Sequence, residues 1–142
     1  MGLRVLLVLG VLAAAAVVGL LWRARNGRFA AATAGDRLTP LEVGAPLGRE
    51  ATFVQLSSAV CAACRSTAAV LADLAAQRDG LAHVELDAAD RMDLVRRFGV
   101  LRTPTVLVLD PAGTVRGRLS GATTRAQALD ALTTTSPRKA RP

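Results

Sequence analysis

The residues best suited to chemistry are two cysteines, spaced as Cys61-Ala62-Ala63-Cys64 and the only cysteines in the chain. On a helix, positions i and i+3 place their Cβ atoms roughly 5–6 Å apart. A small adjustment of the first turn brings two such sulfurs to bonding distance. A bridge that closes so short a loop adds little stability, so the pair reads as reactive or metal-binding rather than as a staple. If Cys61 opens the helix, its sulfur lies beside unpaired N–H groups at the positive end of the dipole, which favours thiolate over thiol. Cys64 lies one turn in, on the side that continues through Ala68 and Leu71, and is expected to be less exposed. The roles follow: Cys61 attacks a disulfide, and Cys64 resolves the mixed disulfide by attacking Cys61.

Two other classes compete. Cys61, Cys64 and His83, the only histidine, make three soft ligands, one short of a closed zinc site; no metal is expected. The same fold could also serve as a non-catalytic docking module whose cysteines never cycle. Other enzyme classes find no support, because the chain has no Gly-rich phosphate loop and its one histidine has no positioned Ser or Cys partner for a triad.

The net charge is +7, but residues 1–37 and the tail from Arg138 carry all of it, and residues 38–135 balance to zero. The folded part therefore shows no basic footprint for nucleic acid, and with no Tyr and one Trp it lacks aromatic platforms for bases.

The elements around the cysteines can be read in order. Val5 to Trp22 is an unbroken apolar run, roughly 27 Å long as a helix, with Trp22 suited to the headgroup layer. Residues 1–24 are read as a single-pass membrane anchor. The alternative is a cleaved signal peptide with small residues at Ala32-Thr33-Ala34, against which stand the intervening Arg23, Arg25 and Arg28. Those three arginines outweigh Arg4 and the α-amine by one charge, which places the following domain in the cytoplasm. An extracytoplasmic domain is the alternative, since thiol–disulfide modules are common in oxidising compartments. Residues 25–50 read as a link and possible start of the domain, rich in turn formers.

Ala51 to Ser57 reads as a buried strand, with Ser57 or Ser58 available to cap a helix from Cys61 to Arg78. Leu81 to Leu86 is a second strand, and Arg91 to Phe98 a short helix with Met92, Leu94, Val95 and Phe98 inward. Thr105 to Leu109 and Thr114 to Ser120 form a hairpin across Asp110-Pro111-Ala112-Gly113. A last helix reaches Leu132 with Ala126, Leu129 and Leu132 inward, and residues 136–142 read as a disordered basic tail. A parallel pair followed by an antiparallel hairpin gives an α/β domain over residues 51–135, a central mixed sheet flanked by helices.

From about Ala51 to Leu132 the chain resembles the thioredoxin family. The resemblance rests on the strand before Cys61-Ala62-Ala63-Cys64, the strand ending at Asp87, the run Phe98-Gly99-Val100-Leu101-Arg102-Thr103-Pro104-Thr105, and Leu119-Ser120-Gly121-Ala122 before the last helix. It implies a thioredoxin-like fold with a redox-active Cys61–Cys64 disulfide as the only cofactor. It also implies that the Thr103–Pro104 bond is cis and faces the cysteines, although the local sequence alone favours trans. The backbone of Thr103 would then pair with an extended substrate strand, and Gly121 would lie near the substrate groove. The chain departs from the family in carrying Val60 before Cys61 where a Trp is usual, and Ala62-Ala63 in place of Gly-Pro. Gln55 stands where the family has a buried acid, and an amide cannot take a proton from Cys64. His83 falls where the family often has a lysine near that acid, and is a candidate for proton transfer. The expected function is a membrane-anchored thiol–disulfide oxidoreductase. Its expected partners are protein thiols or disulfides, a redox donor or acceptor, and the membrane through residues 5–22.

Overall fold

The computed structural model describes residues 2–32 and 35–135. The basic tail and Thr33-Ala34 lie outside them. The apolar run forms α1 (Gly2–Arg25), which has no acidic residue in its first turn, ends on Arg23 and Arg25, and buries none of its residues against the rest of the chain. Among the described residues it is the one helix long and apolar enough to cross a membrane.

Within residues 25–50, read as a link and possible start of the domain, the chain already forms regular elements. These are β1 (Phe29–Ala31) and α2 (Pro40–Val43). The turn formers there are helix signals: Thr39 caps α2 through its side chain, Glu42 reaches back to the Thr39 N–H at 2.8 Å, and Pro40 occupies the first turn. This is a capping box, in which two orphan donors are satisfied reciprocally. Leu38 and Val43 on either side are fully buried, so the segment is packed on the domain by apolar burial.

The remaining elements are β2 (Ala51–Ser57), α3 (Ala62–Gln77), β3 (Leu81–Asp87), α4 (Met92–Arg97), β4 (Thr105–Leu109), β5 (Val115–Ser120) and α5 (Arg125–Thr135). They make one mixed sheet in the order β1-β5-β4-β2-β3. β2 runs parallel to β3 and antiparallel to β4, while β5 is antiparallel to both β4 and β1. Alternation along β2 and β4 separates two cores. Phe53, Val106 and Val108 meet Leu71 and Leu74 of α3 and Ala128, Ala131 and Leu132 of α5. On the other face Val54, Leu56, Leu107 and Leu109 meet Leu38, Val43 and Leu94. Every residue of β2 is buried, as a central strand covered on both faces requires.

Two expectations about helix faces are corrected, and one buried position is new. Met92 is 44% exposed; α4 spans only six residues, and Leu94 alone of them is buried. Ala126 is exposed while Ala128 and Ala131 are buried; α5 turns its small residues inward where it meets α3. Thr67 is fully buried in α3, its hydroxyl accepting the Thr123 N–H at 3.1 Å, a polar position that apolar periodicity could not mark.

The β4–β5 hairpin turns on Asp110, which is 7% exposed. Its carboxylate accepts the N–H groups of Ala112 and Thr114, both at 2.9 Å, and pairs with Arg116. Burial pushes this carboxyl up, but those bonds and Arg116 outweigh it and hold it below the ordinary carboxylate range. Replacing Asp110 by Ala strands these donors and is expected to cost about 2 kcal/mol, read as a lower urea midpoint at unchanged slope.

Candidate active site

The helix that follows β2 begins on the cysteine itself. Cys61 is the N-cap of α3, with extended backbone, and its sulfur accepts the Cys64 N–H at 3.1 Å. Neither Ser57 nor Ser58 caps the helix, which corrects that expectation; a sulfur acceptor takes the place of the hydroxyl. No acidic residue occupies the first turn of α3, so no carboxylate there opposes a negative sulfur. Cys61 and Cys64 are joined as a disulfide with Cα atoms 5.2 Å apart. The two cysteines differ in access: Cys61 is half-buried and Cys64 is 1% exposed.

Of the other sequence-marked residues, Thr103 meets the cysteine loop, and Pro104 and Gly121 are bonded to each other. The Thr103–Pro104 bond is cis. The Thr103 hydroxyl lies 3.2 Å from that of Ser58, three residues before Cys61, which ties the proline loop to the cysteine loop. The Pro104 carbonyl accepts the Gly121 N–H at 2.7 Å. Arg102 Nη2 donates to the Ser120 carbonyl at 3.0 Å. Val60 and Leu101, at 95% and 97% exposure, are apolar side chains left in solvent on the loops that carry Cys61 and Pro104.

Beneath Cys64 lies a buried polar network. Gln55 is fully buried, and its amide nitrogen donates to the Ser57 hydroxyl at 2.8 Å and to the Cys64 carbonyl at 2.9 Å. The Ser57 hydroxyl donates to Glu85 Oε1 at 2.6 Å. Gln55 Oε1 faces His83 Nε2 at 3.2 Å. Since that oxygen can only accept, His83 is assigned the tautomer with its proton on Nε2. Ser57 and Glu85 are members of this network that sequence reasoning missed. Their signal is register: Gln55 pairs with Glu85 across the parallel β2–β3 ladder, and His83 lies two residues before Glu85.

Burial holds the His83 imidazole below its ordinary value, with the Glu85 carboxylate pulling the other way. The folded form therefore resists a proton that the unfolded chain accepts below about pH 6.5. His83 contributes stability fully above that pH and loses it as pH falls toward the folded value. The gap in urea midpoint between the native chain and a His83→Gln variant should change between pH 7 and 5, with the native chain losing more; a constant gap would count against this.

His83 thus contacts the site through Gln55. No cluster of three or more His, Cys, Asp or Glu side chains able to hold a metal ion occurs among the described residues.

Comparison with solved structures decides the architecture. The chain superposes on a thioredoxin from Nicotiana alata with a TM-score of 0.52 at 24% identity, over 60% of this chain and 73% of that one. A mutant thioredoxin from Halobacterium salinarum gives 0.54 at 17% identity, over 63% and 77%. A reduced thioredoxin from Schistosoma mansoni gives 0.51 at 19% identity, over 61% and 79%. The chain has the thioredoxin fold. Neither a protein-family model nor a curated protein matches the sequence. Within that fold the CxxC pair stands at the start of α3, the helix that follows β2.

Proposed function

We propose that this chain is a membrane-anchored thiol–disulfide oxidoreductase acting on protein disulfides, with Cys61 as attacking thiol and Cys64 as resolving thiol. The observation that carries the reading is the asymmetry of the pair. Cys61 is accessible and its sulfur already accepts the Cys64 N–H, while Cys64 is buried against the network under the helix. In the reduced protein the Cys61 thiolate attacks one sulfur of a substrate disulfide, and the other leaves as a thiolate. Cys64 then gives up its proton and attacks Cys61, releasing the second substrate thiolate. Two electrons pass to the substrate and the Cys61–Cys64 disulfide forms. Run backwards, the same steps oxidise a dithiol.

Thr103, which meets Ser58 of the cysteine loop, is assigned to substrate binding together with Pro104 and Gly121, which are bonded to each other. The proton from Cys64 has no acceptor in Gln55, whose amide is neutral. The titratable groups hydrogen-bonded to that amide are His83 and Glu85, and we assign the proton step to them, with Gln55 as positioning residue. In this reading α1 is the anchor, and the one-charge excess of flanking arginines favours a cytoplasmic domain.

The deciding measurement is the reduction potential of the Cys61–Cys64 couple in the full chain. A value near about −270 mV marks a reductase, and one near about −120 mV an oxidase. A pair that fails to cycle between dithiol and disulfide in this range overturns the proposal.

A further inference from the structure

The end of α1 is bonded directly to the loop that carries Gly121. One residue past the helix end, the Asn26 carbonyl accepts Gln127 Nε2 at 3.0 Å; at the next, the Gly27 N–H donates to the Ser120 carbonyl at 2.9 Å. Gly27 is buried at φ 67°, and a Cβ there would come within 2.7 Å of the Ala122 carbonyl. A Cβ on Gly121 would come within 2.9 Å of Asn26 Oδ1. The chain then enters β1, which pairs with β5 from Phe29 against Leu119. No free linker separates helix from domain. The same Ser120 carbonyl is bonded by Arg102, and Gly121 by Pro104, so the anchor end and the proline loop share one seam.

That seam has a definite height if α1 spans a bilayer. With Trp22 in the headgroup layer, three helical residues and two extended ones carry the chain at most about 12 Å further. The Ser120 carbonyl therefore lies within about 15 Å of that layer. The face is also suited to an anionic surface. Arg28, Arg102 and Arg118 line a cavity of about 410 Å³ at the seam, with no carboxylate among its lining residues, and Arg23 and Arg25 end the helix. Clustered arginines next to a membrane helix are drawn to anionic headgroups.

We infer that the dithiol works at a fixed, short distance from the bilayer, and that its substrates are cysteines in the juxtamembrane segments of membrane proteins rather than in freely diffusing ones. Val60 and Leu101, exposed on the cysteine and proline loops, fit the partly apolar chain of such a segment. This inference rests on the oxidoreductase and anchor readings above.

The test uses the full chain in phosphatidylcholine liposomes containing one part in three phosphatidylglycerol. A second form carries a flexible Gly/Ser insertion of about 20 residues between Arg25 and Asn26, which leaves the seam intact and gives the domain a reach of about 25 Å. The probes are insulin in solution and a disulfide-bearing peptide held to a lipid by a short tether. The insertion is expected to slow turnover of the tethered probe about fivefold by lowering its effective concentration, and to leave insulin turnover unchanged. Equal rates on the tethered probe overturn the inference. A native chain inert toward insulin removes the oxidoreductase reading, and a chain that does not float with the liposomes removes the anchor; either takes this inference with it. Hydrogen exchange gives a readout independent of activity: the Gly27 amide of the native chain should be protected, and fast exchange there also overturns the inference.

Discussion

A chain carrying Cys64→Ser is expected to collect substrate as a stable mixed disulfide on Cys61 and to turn over insulin on the order of 1,000-fold more slowly than the native chain. The first attack needs only Cys61, which stays at the N-cap of α3. The second needs a thiol at position 64, and a serine hydroxyl does not attack a disulfide at neutral pH. Cys61→Ser should lose activity to a similar extent and trap nothing, because Cys64 is 1% exposed and out of reach of a protein substrate. Non-reducing electrophoresis with mass mapping of the adducts reads both outcomes. Adducts that require Cys64 instead of Cys61 would invert the assigned roles.

The largest effect on stability is expected at Phe53. It is fully buried and packs among Leu71, Val106, Val108 and Ala128 in the core between the sheet and α3 and α5. Phe53→Ala removes the ring and leaves a cavity that the paired β2 backbone cannot collapse into. The expected cost is about 4 kcal/mol, against a total stability of about 5–15 kcal/mol for a domain of this kind. A urea titration followed by circular dichroism should show the midpoint falling accordingly. A loss below about 1 kcal/mol would mean that the core closes around the gap.

What the sequence revealed and what it hid divide along physical lines. Short-range signals were legible: the apolar run of α1, the strand at Ala51–Ser57, the helix from Cys61 to Arg78, and the hairpin at Asp110. So was the motif order that implied a cis Thr103–Pro104 bond. Two kinds of feature were not. The first is packing by residues whose local chemistry says turn: Thr39, Pro40 and Gly44 look like loop residues, yet they are the cap, first turn and stop of α2. Thr39-Pro40-Leu41-Glu42 was itself a capping-box signal, so this one was there to be found. The second is anything fixed by strand register. Gln55 meets Glu85 only once β2 and β3 are aligned in parallel, and Ser57 joins them only because it points the same way. Local patterns cannot report which residues face each other across a ladder. β1 was missed for a similar reason, since three residues pairing with β5 carry too little periodicity to be seen.

In the proposed reaction, the sulfur that caps α3 is also a sulfur that carries the electrons. The Cys64 N–H bond to Cys61 is made to a different acceptor in each redox state, and a thiolate accepts more strongly than a disulfide sulfur. The cap therefore ties two equilibria into one thermodynamic cycle. The difference in unfolding free energy between the dithiol and disulfide forms must equal the difference in reduction free energy between the folded and unfolded couples. By that cycle about 30 mV of potential corresponds to about 1.4 kcal/mol of relative stability. A chain that grows more stable on reduction is an oxidant to that extent, and one that grows more stable on oxidation is a reductant. Two denaturation curves, one for each form, would thus reveal the direction in which the fold pushes electrons without any substrate present.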